Sequence, residues 1–546
     1  MKRESSKMHG KNNKKTNMET KTTRKSAYRD GNAKDCAPTN KGANDPLWYS
    51  KYPELVRDAA NIPFNLVTGK TIEVTGKSKF GVSYQVPGIM AIEVVPTIGT
   101  AISSTDAVNV AATSLYSFVR HANSGSPNYD APNLMMYMLA MSQVYSYITY
   151  LERVYGCATL YSSRNRYMPE ALLKANGVNF NDVNNNLANL RYGINVLINK
   201  AAAFAVPADM PLFLRHAFLF QHVYTEGSSV KDQMYMYVPA GFYKYVEMVD
   251  TAPSRLEFQR LDMTQAMTVD QLLQFGNDLL QPLLQSEDLG IMSGDILKAY
   301  GKGGCITLTP FPEVYPLVPI NNPMVLEQMK NAMVINPGDM DMFVDHLTIN
   351  ENVPKGTITC IPSVFYETNA AAVETYDTAN VLINAYRQSH ILSTLLPETD
   401  PAAIMEMTRL TFTVDAPVHS EHGGKKYLAG HLHIPTEVAI GVRIYGMYVD
   451  LQGETQYTVT QYHSHELYTN FDYNTFLASS EIVNKGKSFA YAPNMYQHSL
   501  KDGNTVAHFA PFVDYNNFAV LDAACIDRLN DTAILSEFSV PIVNRL

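Results

Sequence analysis

The stretch 131–151, APNLMMYMLAMSQVYSYITYL, carries no charged side chain over 21 positions. As a helix it would be about 30 Å long, enough to cross a bilayer or the middle of a large domain. Its composition separates the two. Asn133, Ser142, Gln143, Ser146, Thr149 and four tyrosines are spread through it, and Met and Tyr stand where a membrane span would hold Leu, Ile and Val. Leu134, Met138, Met141, Tyr145 and Ile148 step by four and three, marking one helix face. A helix that is apolar all round belongs at the centre of a large fold. The stretch therefore predicts a buried core helix and a body large enough to surround it.

The chain has 546 residues, 46% of them hydrophobic, which is ample for such a body and suggests several domains. Helical signals dominate its first part. Ser103-x-x-Asp106 reads as a capping box opening an apolar run to Val119, and Thr268-x-x-Gln271 as another opening a run to Leu284. Val183, Leu187, Leu190, Ile194 and Leu197 mark a further helix face, and Asp295–Tyr300 should be helical up to Gly301. From about residue 304 the period changes to two. Leu410, Phe412 and Val414 alternate with threonines, and Val438, Ile440, Val442 and Ile444 with Ala439, Gly441 and Arg443, the pattern of half-buried strands. The tail from Phe518 to Phe538 reads as helix. The expected class is α+β, a predominantly α-helical body with a β-rich projecting insertion and a disordered basic N-terminal arm. The expected division is an arm at 1–46, a helix-rich body at 47–303, a β-rich insertion at 304–465 and a return to the body at 466–546.

Charge is segregated along the chain. Residues 1–45 hold 12 Lys and Arg against 5 Asp and Glu, a net of +7; residues 46–546 hold 31 against 47, a net of −16. The arm has almost no aliphatic side chains and one aromatic, Tyr28, so it cannot bury enough apolar surface to offset the entropy of ordering. Lys2, Arg3, Lys7, Lys11, Lys14, Lys15, Lys21, Arg24, Lys25 and Arg29 are the candidate RNA-binding residues. Each can neutralise a phosphate and release a counterion without reading a base. No aromatics are interleaved for stacking on single-stranded bases. The plain alternative is a solubilising tail. The five cysteines are far apart and form no CxxC pair, which favours free thiols and a reducing compartment. The N-terminus shows no secretory signal.

Catalytic motifs are missing. Gly69-Lys70-Thr71 and Gly76-Lys77-Ser78 suggest a phosphate loop, but the required glycine five positions upstream is replaced by Phe64 and Thr71, so both read as hairpin turns. The strongest hint of an enzyme is a run of histidines: His419, His422, His431, His433, His463 and His465. The pairs 431/433 and 463/465 would share a strand face and could bind zinc. The plain reading is polar strand-end histidines on an exposed insertion. No cofactor, metal or small-molecule substrate is therefore expected, with a metal-dependent enzyme as the alternative and an RNA-binding protein whose arm is its only functional part as a third reading.

Three blocks carry a family resemblance. The first is Asn44-Asp45-Pro46 with Trp48-Tyr49, Pro53 and Asp58-Ala59-Ala60-Asn61-Ile62-Pro63-Phe64. The second is Pro87-Gly88-Ile89-Met90 with Pro96-Thr97-Ile98-Gly99. The third runs from Tyr116-Ser117-Phe118-Val119-Arg120-His121-Ala122-Asn123-Ser124-Gly125 through Asn128-Tyr129-Asp130-Ala131-Pro132 into the uncharged stretch and Arg153-Val154-Tyr155-Gly156. In these the chain resembles the capsid protein of picobirnaviruses, which have double-stranded RNA genomes. The resemblance implies a non-enzymatic, largely helical coat protein. It implies symmetric dimers closing into an icosahedral shell with a projecting domain, and a basic N-terminus facing the RNA. Its partners would be copies of itself and viral RNA, and its place the virion, assembled in the host cytoplasm. Some relatives are thought to shed an N-terminal peptide by self-cleavage, but no such site maps onto this sequence.

Overall fold

The computed structural model describes residues 57, 61, 71–74, 82–85, 88–125, 128–160, 168–228, 232–248, 253–261, 265–335, 337–368, 383–384, 386–387, 390–449, 457–463, 482, 485–493, 495–501, 504–510 and 517–539. The arm, with every candidate RNA-binding residue, lies outside them, as does His465. The chain divides into two units, 1–66 and 67–546. In the first, the Asn61 N–H donates to the Arg57 carbonyl at 3.1 Å.

The second unit begins with two short strands, β1 (Thr71–Val74) and β2 (Val82–Gln85), which pair antiparallel. Thr71 of the first glycine–lysine triplet begins β1, and the second triplet falls in the connection between the two strands. β3 (Ile89–Pro96) is buried along its whole length. Beyond it, the Asp106 carboxylate accepts the N–H groups of Ile102 and Ser103, at 2.5 and 2.7 Å, and Asp106 is the N-cap residue of α1 (Ala107–Ala122). The polar residues expected to form a capping box thus make a turn in front of the helix.

Asp130 caps the next helix, α2 (Ala131–Thr159), by accepting the Asn133 N–H at 3.1 Å, with Pro132 in the first turn where its missing N–H costs nothing. α2 contains the uncharged stretch, and 23 of its 29 residues are buried. Around it lie α3 (Met168–Ala175), α4 (Phe180–Asn185), α5 (Leu187–Ala201) and α6 (Pro211–Leu219). The single face expected from Val183 to Leu197 is divided between α4 and α5, because the chain leaves helical geometry at Asn186.

The tyrosines of α2 show why they replace leucines. Their rings fill the core while their hydroxyls reach backbone carbonyls of other segments. Tyr137 donates to Ala205 at 2.8 Å, Tyr147 to Leu272 at 2.6 Å, Tyr150 to Asn176 at 2.6 Å and Tyr155 to Glu313 at 2.7 Å. Tyr145, whose hydroxyl meets no partner among the described residues, packs against Phe213. Arg153, 1% exposed, donates to the Tyr237 carbonyl and the Asn176 side-chain oxygen, both at 2.7 Å, and lies 5.7 Å from the Tyr150 ring centroid.

Beside α2 runs the main sheet. β4 (Tyr224–Thr225), β5 (Met234–Pro239), β15 (Glu437–Val449) and β16 (Tyr457–His463) join β3 in the order β16-β15-β3-β5-β4. The β3–β5 pair is parallel and the rest antiparallel. β15 is interior, so Val438 to Ile444 are buried on both faces rather than half-buried, and a register shift between Ala439 and Gly441 bends the strand. β6 (Gly241–Val246), β7 (Arg255–Arg260), β8 (Ile349–Asn352) and β9 (Thr357–Thr359) form an antiparallel second sheet.

α7 (Val269–Gln285) begins with the expected capping box at Thr268 and Gln271. α8 (Glu287–Tyr300) stops at Gly301, whose φ of +71 suits glycine. After α9 (Pro323–Lys330) and α10 (Met340–Leu347) come β10 (Ser363–Glu367), β11 (His390–Ser393) and α11 (Pro401–Met407). Then follow β12 (Thr413–Val414), β13 (Val418–His422), β14 (Lys425–His433), and the hairpin of β17 (Met495–Lys501) and β18 (Asn504–Ala510). β10, β12 and β13 all pair with β14. The tail is not all helix: β19 (Phe518–Leu521) pairs with β11 before α12 (Ala523–Glu537) begins at its cap Asp522. The class is α+β, and β15, from the 304–465 segment, is hydrogen-bonded into the sheet of the 47–303 segment.

Among the described residues no helix is long and apolar enough to cross a membrane. Met141 is fully buried in α2. Met141→Lys is expected to abolish folding, since an unpaired buried cation costs several kcal/mol. Soluble expression and circular dichroism check this, and a soluble, native-like variant would contradict the central placement of α2.

Candidate functional site

The histidine region is the only sequence-predicted site that falls on described residues. β13 and β14 form a hairpin turned at Gly423 and Gly424, both with positive φ. His419 and His422 lie on β13, His431 and His433 on β14, and His463 ends β16 in a different sheet, at the backbone register of Arg443. The 431/433 pair does not converge on one point. His431 Nδ1 is 2.8 Å from Ser363 Oγ, while His433 Nε2 is 3.2 Å from Asp415 Oδ1.

A histidine that sequence spacing could not supply joins this group. His346 of α10 packs against Phe365, with ring centroids 4.6 Å apart and the planes tilted by 51°. It lines an open cleft of about 350 Å³ together with Asp345, Cys360 and His422. Burial lowers the His346 pKa, outweighing a hydrogen bond with the Ile361 backbone that raises it. The Cys360 thiol is pushed up to about 12 by burial, so it stays protonated and is a poor nucleophile. No three His, Cys, Asp or Glu side chains among the described residues come close enough together to hold a metal ion.

The densest charge cluster is elsewhere and is buried. The Glu437 carboxylate, fully enclosed at the start of β15, accepts from Arg215 Nε at 2.7 Å and lies 3.5 Å from Arg409 Nη2, with the Thr436 hydroxyl also donating to it. Arg409 pairs in turn with Glu537 at the end of α12, and Arg215 reaches Glu406 of α11 at 3.5 Å. The cluster ties α6, α11, β15 and α12 together. Burial pushes Glu437 upward, but Arg215 and Arg409 outweigh it and hold the carboxyl at about 2. Glu537 moves the other way, raised by burial and by facing Glu437. A second buried pair, Glu93 with Arg443, bridges β3 and β15. Nothing in this arrangement opens to a substrate. It is a lock that holds distant parts of the chain together, and residue type along the sequence does not reveal it because its members are up to hundreds of positions apart.

The comparisons with known proteins decide the identity. A model of the picobirnavirus capsid protein family matches residues 48–473. The chain belongs to that family. It is similar to the capsid protein precursor of Human picobirnavirus (strain Human/Thailand/Hy005102/-), with 30% identity over 566 residues, covering 96% of this chain and 99% of that one. Its fold is similar to the X-ray structure of the picobirnavirus capsid, with a TM-score of 0.74 at 18% identity, covering 92% of this chain and 100% of that one. The chain is thus a viral capsid protein, a structural component of the virion. The matched range takes in the second and third resemblance blocks and most of the first.

The cluster fixes α12 against α6, α11 and β15. Glu437→Gln leaves Arg215 and Arg409 without their central carboxylate and is expected to cost about 3–5 kcal/mol. Because the folded carboxyl titrates at about 2, below its ordinary value of 4.5, the stability it gives is present above about pH 4.5 and lost as pH falls towards 2. Denaturant midpoints of the two proteins should therefore differ most near neutral pH and converge in acid. Equal midpoints at pH 7 would show that the cluster does not hold the fold together.

Proposed function

We propose that this capsid protein assembles as symmetric dimers into a closed icosahedral shell and holds genomic RNA through its basic N-terminal arm. The observation that carries the reading is the charge split, +7 on residues 1–45 against −16 on the rest. An acidic shell wall repels RNA, so a coat protein of this composition needs a separate cationic element to retain it. Lys2, Arg3, Lys7, Lys11, Lys14, Lys15, Lys21, Arg24, Lys25 and Arg29 supply it, contacting phosphates rather than base edges. Closed symmetry is the usual way identical subunits bury surface. The subunit divides, on this reading, into the arm at 1–46, a body from 47 that includes β15, and a projecting part. The exposed tip of the β13–β14 hairpin, β13 with Lys425 and Lys426, is the part of the 304–465 segment assigned to the projection. Assembly in the host cytoplasm fits Cys157, Cys305, Cys360 and Cys525, all free thiols.

Deletion of residues 1–45 tests the arm. The truncated protein should still form shells, since the arm contributes no aliphatic packing, but the shells should be nearly free of RNA. K14E/K15E/R24E/K25E should do the same without shortening the chain. The readout is the absorbance ratio at nucleic-acid and protein wavelengths on purified particles, alongside electron microscopy. Truncated and charge-reversed shells as rich in RNA as full-length ones would move the RNA-holding role to the inner face of the body. A protein that stays monomeric at high concentration over a range of salt and pH would remove the assembly reading itself.

A further inference from the structure

Between α8 and α9 the chain crosses the body as an irregular strap, residues 305–322, CITLTPFPEVYPLVPINN. It contains four prolines and a single charge, Glu313, in a chain that is 17% charged. Each proline fixes its own backbone and keeps the preceding residue extended, so the strap is stiff before it touches anything.

It is also pinned along its length. The Ile306 N–H donates to Val206 at 2.8 Å, and the backbone of Phe311 exchanges hydrogen bonds with the side chain of Asn195. The Tyr155 hydroxyl donates to the Glu313 carbonyl, Thr159 Oγ1 to the Tyr315 carbonyl at 3.1 Å, and the Leu317 N–H to Gly156 at 3.3 Å. The Ile320 N–H donates to Val223 at 3.0 Å. Gly156, inside α2, makes the close approach possible: a Cβ there would lie 2.8 Å from the Leu317 Cβ and 3.2 Å from the Tyr315 carbonyl.

Phe311 and Leu317 turn inward and are buried. Val314, Val318 and Ile320 turn outward, 81%, 65% and 37% exposed. A stiff, many-times-anchored segment thus holds Val314 and Val318 rigidly in water. Such preorganisation lowers the entropy lost when a surface meets a partner.

We propose that the strap is a contact surface between copies of this chain, with Val314 and Val318 seated against a neighbouring subunit. This rests on the reading that the protein assembles into a shell. Charge selects the second copy as the occupant. Two bodies of net −16 repel wherever their acids meet, so a contact between them is favoured at a face poor in charge. The strap is such a face, with one carboxylate in 18 residues. It offers no cation to RNA, which the arm already supplies with charge.

The test is V314D/V318D, which puts two carboxylates on the outward side of the strap and leaves its anchors in place. The variant should unfold at the wild-type temperature and should require roughly ten-fold more protein to assemble, by light scattering and sedimentation. In parallel, the thiol of V314C should react with maleimide freely in unassembled subunits and at least ten-fold more slowly in shells, measured against wild-type protein. If V314D/V318D misfolds, V314C decides alone. Shells of V314D/V318D forming at the wild-type concentration, or V314C labelling equally fast in shells, would overturn the strap contact while leaving shell assembly standing. The second result would indicate a strap that faces solvent on the particle. Wild-type protein that forms no shells would remove the assembly reading, and the strap contact with it.

Discussion

A helix buried over most of its surface sets the terms for this subunit. With 23 of its 29 residues buried, most polar groups on α2 must find their partners inside the protein. Tyr137, Tyr147, Tyr150 and Tyr155 meet this demand by reaching outward to carbonyls on four different segments, and Arg153 by reaching two more groups. The helix is therefore a hub of directed bonds as well as an apolar core. A leucine at the same positions would pack, but it would not specify which carbonyl the helix turns towards.

Two buried charge clusters extend this specification across the chain. Glu93 and Arg443 join strands about 350 positions apart, and Arg409 joins Glu437 to Glu537. Buried ion pairs are weak evidence for stability in themselves, because desolvation offsets much of the attraction. Their value lies in the uncompensated charge that the loss of one partner would leave inside the protein. The β3–β15 register and the seat of α12 are thereby made hard to mistake.

Much of the fold is legible in the sequence where the signal is local. The burial of α2 follows from 21 uncharged positions, and the start of α7 from Thr268 and Gln271. Alternation at Val438–Ile444 indicates a strand but not its depth, because Ala439 and Gly441 are small enough to be enclosed and yet mimic a polar face. Phe518–Leu521 reads as helix because a short apolar run has no period of its own; only pairing with β11 makes it a strand. Spacing puts His431 and His433 together, and Ser363 and Asp415 then draw them to separate partners. His346 and the Glu437 cluster are non-local, and no pattern within a window could show them. The arm, by contrast, is a reading from composition and charge alone.

The topology of the main sheet has a consequence in time. β3 begins at residue 89, yet the strand beside it, β15, does not begin until residue 437, and α12 is not capped until Asp522. A ribosome must therefore release β15 before the central strand has both neighbours, and α12 before Arg409 can meet Glu537. Such long loops close slowly, and partly synthesised domains expose apolar surface meanwhile. The same arrangement works as an inspection. A chain that stops before residue 537 lacks the Arg409–Glu537 pair, and one that stops before residue 437 lacks an interior strand as well.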